Sequence, residues 1–213
     1  MAKLYLGTRE VTPAIAKGYP GKYQLLQRIS DDSNNEIGTV SGFFTDANDQ
    51  EYAVVCLDAQ YRLASGYYCD QSDYITNLPY YNRPTTSFWG NAKETATFNT
   101  QTILDWCTAH SANSTACSHC RSKSFVIDGT TYYGQLPQIR EMIDICCNMS
   151  AINTADTTAS SYSSLNFSSN RQFLTSTQCS SGYCWYFFEY AGIFYTGKGS
   201  NWFVVPVLEL PNR

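Results

Sequence analysis

The stretch Tyr132-Tyr-Gly-Gln-Leu-Pro-Gln-Ile-Arg-Glu-Met-Ile-Asp-Ile-Cys-Cys147 passes from a turn to a helix within a few residues. Gly134 and Pro137 punctuate its first half, and Ile139, Ile143 and Cys146 or Cys147 then recur along one helical face. A first helix is expected upstream over residues 99–110, where Ile103, Trp106, Cys107 and His110 have helical spacing and Thr100 or Thr102 stands as N-cap. A polar, cysteine-bearing loop, Ser111 to Ser124, joins the two.

Outward from these helices the chain turns β-prone. Gly38-Thr-Val-Ser-Gly-Phe-Phe44 and Tyr52-Ala-Val-Val-Cys-Leu57 flank Asp46-Ala-Asn-Asp49 and read as a hairpin. A Tyr-rich, irregular stretch then runs to about Gly90. Downstream, Ser/Thr/Asn-rich sequence fills 153–170. Three β-prone runs follow: Phe173–Thr177, Tyr183–Tyr190 and Trp202–Leu208. The class is therefore α+β: an N-terminal hairpin, two helices with long loops, and a C-terminal β-meander. Residues 23–35 form a linker or short element; 23–30 suit either a short helix or a strand, and Asp31-Asp-Ser-Asn-Asn35 ends them. Residues 1–22 hold two short apolar segments ended by Gly18-Tyr-Pro-Gly21, too little to bury a core alone. Leu4, Tyr5, Leu6, Val11 and Ile15 are thus expected to dock on another surface. Residues 36–213 make the main domain.

Composition narrows the function. Charged residues are 15 % of the chain and aromatics another 15 %, with 17 Tyr, which argues against a helical bundle. Tyr and Trp supply stiff amphipathic contact area and Ser and Asn adaptable hydrogen bonds, the composition of a binding surface. A net charge of −4 with no basic run excludes phosphate recognition, so no nucleic-acid partner is expected. No apolar run is long enough to span a bilayer, and the N-terminal one is too short for a signal peptide, so cytosolic synthesis without membrane insertion is expected. Nine cysteines are an odd number, so at least one stays unpaired within the chain. In a reducing compartment they remain thiols, open to later oxidation.

Five fragments in this order resemble the C-type-lectin-like domains of phage and bacterial surface proteins, including the target proteins of diversity-generating retroelements. They are Gly38–Asp46 with Tyr52–Cys56, Phe98–Ile103 with Trp106-Cys107, Gly134-Gln-Leu-Pro-Gln-Ile-Arg-Glu-Met142, Leu174-Thr-Ser-Thr-Gln178 with Cys184-Trp-Tyr186, and Val204-Val-Pro-Val207. The family has Trp where Leu174 stands and Arg where Val205 stands. The N-terminal Lys3–Ile15 segment resembles the N-termini of fibre proteins in crAss-like gut phages. The resemblance implies a homotrimeric fibre on the virion surface, head or short tail, docked through its N-terminus onto capsid or tail proteins and binding a host cell-surface glycan or protein. Carried over by position, the ligand surface comprises Gln178, Ser180, Ser181, Tyr183, Tyr186, Tyr190, Phe194, Tyr195, Lys198, Asn201 and Trp202. Strand alternation puts Tyr186 and Tyr190 on one face and Trp185 and Phe187 on the other, with Trp185, Phe187 and Phe203 expected in the core. Leu136, Pro137, Glu141, Ser176 and Thr177 are expected to hold the second helix to the meander. A capsid cement protein with no receptor is the alternative within this class.

The remaining chemistry is sparser. Cys107, His110, Cys117 and Cys120 form C-x2-H-x6-C-x2-C, a spacing compatible with structural zinc, against which ordinary thiols or a late disulfide weigh more. The calcium-binding runs of sugar-binding lectins do not occur, and Asp31/Asp32 and Asp46/Asp49 read as turn formers. A Cys–His nucleophile built on His110 or His119 lacks any accompanying elbow, carboxylate pair or phosphate loop. Formylglycine-generating enzymes share the lectin-like fold and bind copper through two cysteines spaced like Cys179 and Cys184, which makes a copper oxidase the enzymatic alternative. No catalytic residue and no cofactor is expected.

Overall fold

The computed structural model describes residues 5–6, 9–10, 21–46, 48–78, 95–167, 171–188 and 192–212. Leu4, Val11, Ile15 and Tyr190 lie outside them. Near the N-terminus, β1 (Tyr5–Leu6) pairs antiparallel with β2 (Arg9–Glu10), so two of the expected anchor residues lie in a small hairpin.

The opening hairpin follows its sequence pattern. β3 (Arg28–Ser30) pairs with β4 (Glu36–Thr45), and β4 with β5 (Glu51–Leu57). Within the 23–30 segment only Arg28–Ser30 is strand, on the β4 edge, and Leu25 and Leu26 lie in a turn. Asp31 Oδ1 accepts from the Ser33 and Asn35 amides, and Asp46 Oδ1 from those of Asn48 and Gln50. Both are the Asx turns that such residues favour. Asp32 instead accepts from the Asp128 and Gly129 amides. After a 3-10 turn (Ala59–Tyr61), β6 (Leu63–Gly66) crosses to a second sheet.

The helical region departs from expectation in number and boundaries. α1 (Ala96–Ala109) starts before Asn99 because Thr95 Oγ1 accepts from Phe98 N while Glu209 accepts from the Ala96 and Thr97 amides. These bonds satisfy donors that a helix start leaves free. Thr100, one of the expected caps, lies inside the helix, buried, and accepts from Leu136 N. The expected loop 111–124 contains α2 (Thr115–Arg121), capped by Ser114 and burying Ala116, Cys117 and Cys120. β7 (Ser124–Ile127) and β8 (Thr130–Tyr133) form a small hairpin. α3 (Ile139–Cys147) and α4 (Met149–Ala155) follow. The buried stripe of α3 is Ile139, Met142 and Ile145, whereas Ile143 and Cys146 are half-buried and Cys147 is exposed. The face points toward Met142 because Phe44, Val54 and Phe173 converge there.

After a 3-10 turn (Ser163–Leu165), the last third begins as the expected meander: β9 (Gln172–Gln178), β10 (Tyr183–Phe188) and β11 (Gly192–Gly197). It does not continue as one. The run 202–208 splits at Val205-Pro206, where proline has no amide to donate to a ladder. β12 (Trp202–Val204) pairs parallel with β9 and antiparallel with β6, while β13 (Val207–Pro211) pairs with β5 in the first sheet. The sheets have the orders β13-β5-β4-β3 and β11-β10-β9-β12-β6.

Alternation along β5 explains how the layers stack. Val54 and Cys56 face α3, α4 and the second sheet, with Phe173, Phe203 and Val205 opposite. Ala53, Val55 and Leu57 face the other way, toward Phe125 and Ile127 of β7. On the far side of the second sheet, Leu174, Cys184 and Val204 pack against α1, α2 and Tyr68. The protein is an α+β fold with mostly antiparallel sheets, and among the described residues no helix is long and apolar enough to cross a membrane.

Candidate ligand-binding surface

The β10–β11 hairpin brings most of the expected surface residues together. Tyr183 pairs with Gly197, Trp185 with Tyr195 and Tyr186 with Phe194. On one face Tyr195, 59 % exposed, stands edge-on to both Tyr183, 47 % exposed, at 5.4 Å and the buried Trp185 at 5.9 Å. On the other face Tyr186 stacks on Trp202 at 5.4 Å and 14° and lies 5.9 Å from Phe194, itself 40 % exposed. Trp202 Nε1 donates to Thr196 Oγ1 at 3.2 Å, which fixes the indole. Each exposed ring is thus braced by another ring, in the offset or edge-on geometries that aromatic pairs prefer. Half-buried Ser180 and Ser181 lie in the β9–β10 turn, and exposed Asn201 precedes β12. Trp185 and Phe203 are core residues, as expected, while Phe187 is only half-buried.

Two residues assigned to this surface are not on it. Gln178 is fully buried and Lys198 is 1 % exposed. Gln178 Oε1 accepts from Ile75 N at 3.0 Å and from Lys198 Nζ at 2.7 Å, while Gln178 Nε2 donates to the Leu78 and Ile75 carbonyls. Lys198 Nζ also donates to the Asp73 carbonyl at 2.6 Å, and the Lys198 carbonyl accepts from the Tyr68 and Cys69 amides. Burial holds the Lys198 ammonium down at about 8. This pair is an internal knot: it satisfies the backbone of the 67–78 loop, which has no strand partner of its own beyond β6.

The cysteine-rich region likewise resolves into packing. Cys107, Cys117 and Cys120 share one core with Cys69, Cys184 and Tyr68. His110 does not join them: its ring stacks on Trp106 at 4.2 Å, and Nδ1 lies 2.8 Å from the Trp106 carbonyl. His119 Nε2 lies 2.7 Å from the Tyr61 carbonyl. Among the described residues no three His, Cys, Asp or Glu side chains are placed to hold a metal ion, so the zinc spacing of the sequence is not gathered into a site. Cys179 and Cys184 also fall on opposite sides of the second sheet, Cys179 with Ile139 and Trp185, Cys184 with Tyr68 and Leu174. Burial raises both thiols, as it does Cys120, and pushes Cys117 up to about 12. These sulfurs are protonated at neutral pH, poor as ligands and as nucleophiles.

One group escaped the sequence reading. Cys69 Sγ lies 3.8 Å from Cys107 Sγ, and Cys69 sits in the Tyr-rich stretch whose irregularity gave no periodic signal. An open depression lined by Cys147, Asn148, Ser150 and Ala151 contains none of the ledge residues. Comparison with family models, with curated proteins and with solved structures finds no match to this chain.

Proposed function

We propose that this chain is a virion surface protein, a head fibre or short tail fibre of a bacteriophage, whose C-type-lectin-like domain binds a host cell-surface glycan or protein. The observation that carries the reading is the braced aromatic ledge on one face of β10–β11, the exposed rings of Tyr183 and Tyr195, with Ser180 and Ser181 in the adjoining turn; Phe194 is exposed on the opposite face. Exposed aromatics held in fixed orientations lose little entropy on contact and suit recognition of sugar faces or protein side chains. The order of hairpin, helices and terminal strands supports the lectin-like assignment, as does the return of β13 beside the opening hairpin. Residues 1–22 would dock on capsid or tail proteins, and the fibre would assemble as a homotrimer.

Binding of the fluorescently labelled full-length protein to a panel of intact gut bacteria and to an array of bacterial surface glycans tests the reading. A Tyr183→Ser/Tyr195→Ser double variant should lose at least tenfold in binding while its melting temperature stays within a few degrees. A second reading, a capsid cement protein without a receptor, is favoured by one feature: β11 is an edge strand, Gly192-Ile-Phe-Tyr-Thr-Gly197, with no charge in it. Uncharged aromatic edges are usually covered by a partner. No binding to any cell or glycan, with unimpaired incorporation into particles, would replace the receptor reading by that one.

A further inference from the structure

We propose that Cys69 and Cys107 are a redox modification site, which a small disulfide such as oxidised glutathione converts to an intrachain disulfide fastening the 67–78 loop to α1. The two sulfurs are 3.8 Å apart, so about 1.8 Å of closure, shared by two side chains, brings them to bonding distance. Cys107 belongs to a helix, and Cys69 to a loop held by hydrogen bonds and by the buried side chains of Tyr68, Ile75 and Leu78. The inference does not depend on the receptor reading.

The same pair is chemically set apart from the other cysteines. The hydrogen bond shared with Cys107, helped by the nearby Lys198 cation, brings Cys69 down to about 7 against the effect of burial. Cys56, Cys117, Cys120, Cys147, Cys179 and Cys184 are all raised by burial. Exchange requires a thiolate, and an attacking thiol whose pKa lies near the ambient pH is the most effective. Cys69, beside the exposed turn at 70–74, is the attacking sulfur, and Cys107, buried inside α1, the resolving one.

The reaction balances as an exchange. Cys69 thiolate attacks one sulfur of the oxidant, whose S–S bond breaks, and the first glutathione leaves as a thiolate that takes up a proton. Cys107 then gives its proton to solvent, attacks Cys69 Sγ in the mixed disulfide and displaces the second glutathione. Two electrons pass from the two cysteines to the oxidant; one disulfide is consumed, one is formed, and two small thiols are released.

Access is through the adjoining turn. Cys69 is itself buried, but Asp70, Ser72, Asp73 and Tyr74 are exposed. That turn is held by Asp70 N to the Asn113 carbonyl, Asn113 N to Asp70 Oδ1, Gln71 Nε2 to the His110 carbonyl and Lys198 Nζ to the Asp73 carbonyl. Local opening of these few bonds exposes Cys69 without global unfolding, so oxidation is expected to be slow and paced by the opening.

The test is to equilibrate the full-length protein with graded ratios of oxidised to reduced glutathione, quench in acid, alkylate the remaining thiols and map the peptides. The expected product is a peptide pair joined through Cys69 and Cys107, with amide exchange across 67–78 slowed at least tenfold. In Cys107→Ser the reaction should stop at glutathione on Cys69. The inference is overturned if both cysteines are alkylated at every ratio, if glutathione stays on Cys69 in the unsubstituted protein, or if the cross-link forms between other cysteines. The mapping on the unsubstituted protein decides the matter even where the variant folds poorly.

Discussion

Glu141 is a carboxyl placed where no ordinary carboxylate would be stable. It is 1 % exposed; Oε2 accepts from Gln138 N at 2.8 Å, and Oε1 receives no N–H. Burial holds its pKa well above the usual carboxylate range, and the neighbouring Glu209 raises it further. Glu209 accepts from the Ala96 and Thr97 amides at the start of α1, where the helix favours a negative charge. The raised value favours the protonated form of Glu141. Glu141 of α3 thus sits beside Glu209 of β13, whose carboxylate oxygens in turn accept from the start of α1, so three elements meet at this buried pair. An amide in its place keeps the acceptor for the Gln138 amide and brings no charge into the core. Glu141→Gln should stay within about 1 kcal/mol of the unsubstituted protein, while Glu141→Ala, which leaves the Gln138 amide without its acceptor and opens a cavity, should cost about 3 kcal/mol. Urea unfolding at neutral pH measures both, and equal losses in the two variants would remove the proton from Glu141.

Among the elements, the 67–78 loop has the least support from its own backbone pattern, and Lys198 and Gln178 supply what it lacks. Lys198→Met keeps the length of the side chain but removes the donor to the Asp73 carbonyl and Gln178 Oε1. Stability should fall by about 1–3 kcal/mol, with faster amide exchange concentrated in 68–78. Unchanged exchange there would mean that the knot does not hold the loop. The elements that sequence periodicity revealed are those whose pattern is local: the β4–β5 hairpin with its Asp46 turn, α1 and α3. α2 was hidden because its buried stripe is Ala116, Cys117 and Cys120, small residues that read as loop composition. β11 was hidden because its six residues lie between glycines and directly follow an aromatic run. The closing run 202–208 divided between two sheets because Pro206 cannot continue a ladder, a signal that was present in the sequence. Tyr and Ser enrichment pointed to the ledge region, but alternation put Tyr186 outward. Tyr186 is instead half-buried against Trp202, and the exposed rings of the ledge are Tyr183 and Tyr195, on the Trp185 face. The burial of Gln178 was not legible, since its partner Ile75 lies 103 residues away and no local pattern records such a contact.

At the scale of the whole molecule, the buried acids set how stability responds to pH. Asp144 of α3 packs its carboxyl over Gly42 of β4 so closely that a Cβ there would come within 2.5 Å of Oδ2. Burial pushes its pKa from 3.8 up to about 7, and Arg140 only partly opposes the shift. Glu141 and Asp58 shift in the same direction, both chiefly through burial. Each of these groups holds its proton to a higher pH in the folded protein than in the unfolded chain. Their contribution is complete below the unfolded value near 4 and is lost as pH rises through the folded value, at about 1.4 kcal/mol per pH unit for each group still protonated. Other groups work the other way, Lys198 and Cys69 among them: their folded values, about 8 and about 7, lie below the unfolded ones, so stability rises as pH rises through that range. His119, lowered by burial, costs stability as pH falls below its unfolded value of 6.5. Asp31, lowered by backbone amides, costs stability only in stronger acid. The Asp144 loss and these gains overlap between pH 6 and 8, so the contribution of Asp144 is read as the difference between two profiles of urea midpoints at fixed ionic strength. Asp144→Asn removes one titrating group. It should flatten the slope between pH 5 and 7 and leave the variant more stable than the unsubstituted protein at pH 8, by about 2 kcal/mol. An Asp144→Asn profile parallel to the original would show that Asp144 is ionised in the folded protein and that its packing on Gly42 is opened by water.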